Sequence, residues 1–252
     1  MRLAFDRVGA GAPLLLLHPL GADRHVWAPV LDRLAAERDV VAVDLPGFGA
    51  SPPLPRGATA TPEALAAAVA GLAAELGLDR PHVAGNSLGG WVALELGLRR
   101  AARSVTAIAP AGLWPEPLTP KRGIARSIAR AVLPIMPALV ASEAGRRVAL
   151  AGTVAHPERV EPDAALRLVR AYAQAPGFEA ANDAMRADRF RALERVRVPI
   201  TLGWPEHDRL VARPAHLPPT VRSVVLRGCG HVPMWDDPEQ VAALLLTGSR
   251  AG

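Results

Sequence analysis

The stretch HVAGNSLGGWVALELGLRR, His82 to Arg100, sets Ser87 between two glycines where a run of strand formers gives way to helix formers. It predicts a strand over 80–85, a tight turn and a helix over 88–100. Outward from it the same alternation repeats. Upstream, RLAFDRV (2–8), LLLLH (14–18) and DVVAVDL (39–45) read as strands, and 25–37 and 62–76 read as helices. The four leucines form a continuous apolar run, as a strand buried on both faces requires. Downstream, SVTAIAP (104–110), VPITLGW (198–204) and SVVLRG (223–228) are strands, and DPEQVAALLLTG (237–248) is a closing helix. Strands alternating with helices imply βαβ units: an α/β fold with a mostly parallel, doubly wound sheet and helices on both faces.

The alternation stops between Gly112 and Asp188, where five prolines fall between Pro115 and Pro137 and helical stretches at 121–133, 142–151 and 161–174 take over. This predicts a core of 1–112 and 189–252 with a helical insertion, a cap, at 113–188. Between Leu113 and Phe190 there are eleven basic residues against eight acidic ones, three of the five net positive charges of the 252-residue chain. Arg122, Arg126 and Arg130 share one predicted helix face opposite Ile124 and Ile128; a docking site for an anionic substrate is one reading, and a solvated outer face is the expected one. The basic residues are scattered arginines with a single lysine, Lys121, among acids and few aromatics, which argues against nucleic acid. No apolar run reaches the roughly 20 residues a membrane span needs. The first residues contain Asp6 and glycines where a signal peptide would have its apolar run, so the expected location is cytoplasmic. Cys229 is the single cysteine, so no internal disulfide is available.

Gly85-Asn86-Ser87-Leu88-Gly89 fits G-x-S-x-G in the strand–turn–helix setting that the pattern needs. A serine hydroxyl becomes a nucleophile only beside a base, and the base needs an orienting acid. His231 lies in the glycine-rich loop after the last strand, and Asp208 follows the strand before it, with Glu206 as the substitute. The competing readings are a packed turn serine for Ser87 and a helix-capping acid for Asp208. His18 is expected to brace its loop, and the remaining histidines, His82 among them, to be surface or loop residues. Asn86 is explained by packing in the turn, and Cys229 by an inert place in a tight loop. No histidine pair has metal-ligand spacing.

The order Ser87, Asp208, His231 and five co-linear segments resemble the α/β-hydrolase superfamily in its serine-nucleophile branch. The segments are LLLLHPLGADRHVW, DLPGFGASP, GNSLGG, GWPEHDRLV and GCGHVPMWDDPEQV. The resemblance implies a sheet of seven or eight strands, the first family strand being absent, with the cap inserted after the sixth family strand. It implies an oxyanion hole from the backbone N–H groups of Leu20 and Leu88. It implies a serine hydrolase of a small carboxylic ester or lactone, acting through an acyl-enzyme with no metal or organic cofactor. Trp114, Met136, Leu139 and Val232 are the candidate pocket residues; the cap's apolar residues could equally form a homodimer contact. The GNSLGG turn resembles carbon–carbon bond hydrolases, which usually carry tryptophan where Val232 follows His231. PLGADRHVW resembles the enol-lactonases, cofactor-free perhydrolases share the triad, and a non-catalytic ligand-binding protein on this fold is the reading from another class. A serine at the nucleophile position excludes the aspartate-nucleophile branches, the haloalkane dehalogenases and epoxide hydrolases.

Overall fold

A computed structural model describes residues 1–119 and 124–250. Seven strands form one sheet: β1 (Phe5–Gly9), β2 (Ala12–Leu17), β3 (Arg38–Val43), β4 (His82–Asn86), β5 (Val105–Ile108), β6 (Ile200–Pro205) and β7 (Val221–Leu226), in the order β1-β3-β2-β4-β5-β6-β7. Only β1 runs antiparallel, against β3; every other pairing is parallel. The sheet thus has seven strands rather than eight.

The apolar strands sit in the middle because they have two faces to bury. Leu15, Leu17, Val41 and Val43 pack with α2 (Pro62–Glu75) and α3 (Leu88–Leu98). Leu14, Leu16, Val40 and Ala42 alternate to the other face, against α1 (Ala28–Ala35) and α9 (Pro238–Gly248). Each such leucine contributes about 1.5–3 kcal/mol by burial. The edge strands FDRVG and VRSVVL carry the polar residues, which limits pairing with other chains. Residues 206–220, between β6 and β7, contain no helix.

Between β5 and β6 lie α4 (Ala125–Val132), α5 (Met136–Ala141), α6 (Glu143–Ala149), α7 (Pro162–Gln174) and α8 (Phe178–Ala187), with no strand among the described residues. Of the predicted helix over 121–133, the described residues form α4 from Ala125 to Val132, and a 3-10 turn at Leu133–Ile135, where Pro134 lacks an N–H, separates it from α5. Lys121 and Arg122 lie outside the described residues. The solvated arginine face is corrected at Arg126, which is buried, while Arg130 is exposed as expected; Ile124 and Ile128 are 76% and 53% exposed. The cause is the end of α7, whose last carbonyls have no partner within their own helix. Arg126 Nε donates to Tyr172 O (3.0 Å), its Nη2 donates to Ala175 O, and Arg130 Nε donates to Ala173 O (2.7 Å). Arg126 also pairs with Glu179 (2.9 Å) and lies 4.8 Å from the centre of the Phe178 ring. Cations at a helix C-terminus gain from its dipole as well. These contacts outweigh the burial that two isoleucines forgo.

His82 is a second correction. It is buried at the start of β4, with Nδ1 2.8 Å from Ser104 Oγ, which itself donates to Gly248 O (2.9 Å). That chain assigns Nδ1–H as donor. Burial, reinforced by Arg103 and Arg38, pushes the imidazole down to about 4. The unfolded chain, titrating near 6.5, therefore binds more protons than the fold between about 4 and 6.5. The stability held at pH 7 is expected to fall across that window on acidification. His82→Gln should flatten the fall in urea midpoint between pH 7 and 4.5; parallel curves for the two proteins would refute it.

Candidate active site

Ser87 occupies the turn between β4 and α3 with φ 55° and ψ −115°, a conformation that costs a non-glycine residue about 1–3 kcal/mol. The surroundings enforce it: Ser87 N donates to Ile108 O (2.9 Å), and Ser87 O accepts from Trp91 N (3.1 Å) and Ala111 N (3.0 Å). A β-carbon on Gly85 would strike the Gly89 carbonyl, and one on Gly89 the Leu17 carbonyl, so the close helix–sheet contact requires both glycines. Serine at a helix N-cap ordinarily turns its hydroxyl onto the helix amides. Here Ser87 makes no such bond, which leaves the hydroxyl free of a capping role.

The amide of Leu88 opens α3, where N–H groups have no acceptor in the helix. Among the described residues neither it nor the Leu20 amide donates to a protein acceptor. The Leu20 loop is braced by His18, whose Nδ1 lies 2.8 Å from Pro19 O and whose Nε2 accepts from Leu45 N (3.0 Å). These partners assign the proton to Nδ1, and burial lowers the pKa, so the ring is a neutral strut standing edge-on to Phe48. Next to Leu20, Gly21 packs against Tyr172 and Phe178, which bring the helical segment onto this loop. Gly177 N also donates to Gly47 O at 2.8 Å.

After β6 the chain is drawn toward the loop that follows β7: Glu206 N donates to Leu226 O (2.9 Å) and His207 N to Cys229 O (2.8 Å). Asp208 Oδ2 then lies 2.7 Å from His231 Nδ1, with both side chains nearly inaccessible. Its Oδ1 accepts from Leu210 N (2.7 Å) and Val211 N (3.0 Å), a local turn in place of a helix cap. Burial alone would raise the Asp208 carboxyl, but the hydrogen bond and charge of His231 and the two loop amides outweigh it, holding the group below its ordinary value. Among the described residues the Glu206 carboxylate accepts only from Gly228 N (2.8 Å). Ser87 and His231 are linked through Asn86, whose Nδ2 donates to Ile108 O and to His231 O, both at 3.1 Å. Among the described residues no hydrogen bond joins the Ser87 hydroxyl to the imidazole; such contacts commonly tighten only when substrate is present.

Met136 and Val232 are buried in one cluster, with Leu139 packed against it. Trp114 instead packs against the other cluster, edge-on to Trp91 at 5.9 Å, and donates its indole N–H to Asp188 O (3.0 Å). Cys229 is buried, and burial with the nearby Asp236, Asp237 and Glu206 pushes its thiol up to about 12, where it is unreactive. His25, His207 and His216 are exposed and His156 is half-buried. Among the described residues no cluster of three or more His, Cys, Asp or Glu side chains could hold a metal ion. Two features that sequence reasoning missed are the Asn86 bridge and the contacts of Asp236, described below. Neither has a local signature, since the partners lie 145 and about 80 positions away.

The chain is similar to known proteins over most of its length. The chain is 35% identical over 185 residues to the epoxide hydrolase EphH of Mycobacterium tuberculosis, which covers 68% of this chain and 86% of that protein. A thermophilic esterase from Thermogutta terrifontis superposes with a TM-score of 0.74 at 26% identity, over 98% of this chain and 93% of its own. The enol-lactonase of Burkholderia xenovorans LB400, at 23% identity and a TM-score of 0.75 over 97% and 94%, shares the fold. Residues 14–244 match the sequence profile of the alpha/beta hydrolase family, and the chain belongs to that family of enzymes.

Proposed function

We propose that the protein is a serine hydrolase of small carboxylic esters or lactones, with Ser87 as nucleophile, His231 as base and Asp208 as orienting acid. The observation that carries this reading is the strained Ser87, whose hydroxyl caps nothing, beside a buried His231–Asp208 pair. With Nδ1–H directed to Asp208, His231 Nε2 can accept the hydroxyl proton as Ser87 Oγ attacks the carbonyl carbon. The free amides of Leu20 and Leu88 hold the oxyanion, each worth about 3–4 kcal/mol of barrier. His231 passes the proton to the departing alcohol, leaving an acyl-enzyme. It then deprotonates a water that attacks the acyl carbon, releasing the acid and restoring Ser87. No cofactor enters these steps. The helical segment 113–188 acts as a cap, with Met136, Leu139 and Val232 toward the acyl group and Trp114 as an outlying wall residue.

The name of the mycobacterial relative does not carry over, on chemical grounds. Opening an epoxide with the Ser87 oxygen would leave an ether, which offers water no carbonyl to attack. Carbon–carbon bond cleavage is disfavoured by Val232 after His231. The test is a fluorophosphonate probe together with a panel of nitrophenyl esters, lactones and vinylogous diketones. Covalent labelling and turnover of short-chain esters or lactones are expected. A folded protein that neither labels nor turns over any ester or lactone would overturn the proposal.

A further inference from the structure

We infer that Asp236 is a positioning residue that fastens the His231 loop to residues 153–156 of the helical segment, so that the base stands correctly only while that segment is docked. The inference rests on the reading of His231 as the general base. Asp236 Oδ1 accepts from Ala155 N (2.9 Å) and His156 N (2.8 Å), and its Oδ2 accepts from Gly230 N (2.8 Å) and Ala155 N (3.0 Å). One carboxylate therefore gathers three backbone amides, two from the segment and one from the residue before His231. Charged acceptors make the stronger class of hydrogen bond. On the other side of His231, Val232 N donates to Thr153 O (2.8 Å).

The two loops touch backbone to backbone, since a β-carbon on Gly230 would come within 2.7 Å of Ala155 N. The peptide groups flanking His231 are thus held from two directions. The elbow holds the His231 carbonyl through Asn86, and the helical segment holds the amides of residues 230 and 232 through Asp236 and Thr153. Asp208 fixes the ring itself but not the loop that carries it. Asp236 touches neither the imidazole nor Ser87 by hydrogen bond, so its effect on chemistry is transmitted through the backbone.

Aspartate is required rather than asparagine because all three partners are donors. An amide would turn its own NH2 toward at least one N–H and lose that contact. Asp236→Asn is therefore expected to lower kcat by about 10- to 100-fold, the range in which sub-ångström to ångström misplacement of a catalytic group falls. KM should change less than threefold, and fluorophosphonate labelling of Ser87 should slow in proportion to kcat. Asp236→Glu, which keeps the charge, should recover part of the loss, and gives the same readout if Asp236→Asn does not fold. A folded Asp236→Asn or Asp236→Glu protein with lowered Tm but wild-type kcat and labelling rate would overturn the inference. A wild-type protein without labelling or turnover would instead overturn the hydrolase reading on which it stands.

Discussion

Ser87→Ala is expected to abolish fluorophosphonate labelling and to lower kcat on any ester that the wild type turns over by about 10^5- to 10^6-fold. At 1.36 kcal/mol for each factor of ten, the loss corresponds to about 7–8 kcal/mol of transition-state stabilisation. The remaining activity would be that of the oxyanion amides and the binding of substrate, which do not depend on the hydroxyl. The substitution isolates chemistry from folding with little ambiguity. The hydroxyl makes no helix-capping bond, and the bonds that fix the turn run through Ser87 N and O, which alanine retains. Alanine also tolerates φ 55° about as poorly as serine, so the strain is unchanged. Urea unfolding of the variant should match the wild type to within about 1 kcal/mol. Full activity in the folded variant would remove Ser87 from the mechanism.

What the sequence made legible is what local patterning controls. The alternation of Leu14 to Leu17 between two helical layers, the glycines around Ser87 and the order of Ser87, Asp208 and His231 all follow from short stretches read against the geometry of strands and turns. What was hidden depends on partners distant in the chain. Arg126 shares its spacing with any solvated arginine, and its partners, the carbonyls at the end of α7 some 46 to 49 positions on together with Phe178 and Glu179, draw it inside. His82 reads as a loop residue until Ser104 and Gly248 close over it. Helix α8 escaped because FEAANDAMRA carries Asn182 and Asp183 mid-stretch, residues whose side chains compete for backbone hydrogen bonds. Asp236 lies within a segment that resembles the family, yet its role exists only where residues 155 and 156 return to it.

Asp208→Asn is expected to lower kcat by about 10^4-fold with the fold intact. The argument is one of tautomers. In the wild type both carboxylate oxygens accept: Oδ1 from Leu210 N and Val211 N, and Oδ2 at the His231 ring, 2.7 Å from Nδ1. Asparagine has one carbonyl oxygen, and the two loop amides claim it, because an NH2 placed there would face two donors. The NH2 is then directed at His231 Nδ1, which must become the acceptor. The ring proton moves to Nε2, the nitrogen that has to receive the proton of Ser87, and the base is disabled without being displaced. Loss of the carboxylate also removes the charge that stabilises the imidazolium once it forms. Glu206→Gln serves as the comparison, because among the described residues the Glu206 carboxylate accepts only from Gly228 N and makes no hydrogen bond to His231 or Asp208, so kcat should stay within about twofold of wild type. Steady-state kinetics on one ester with both variants decides the matter. A near-normal Asp208→Asn beside a crippled Glu206→Gln would mean that the loop rearranges in solution to present the other carboxylate to His231.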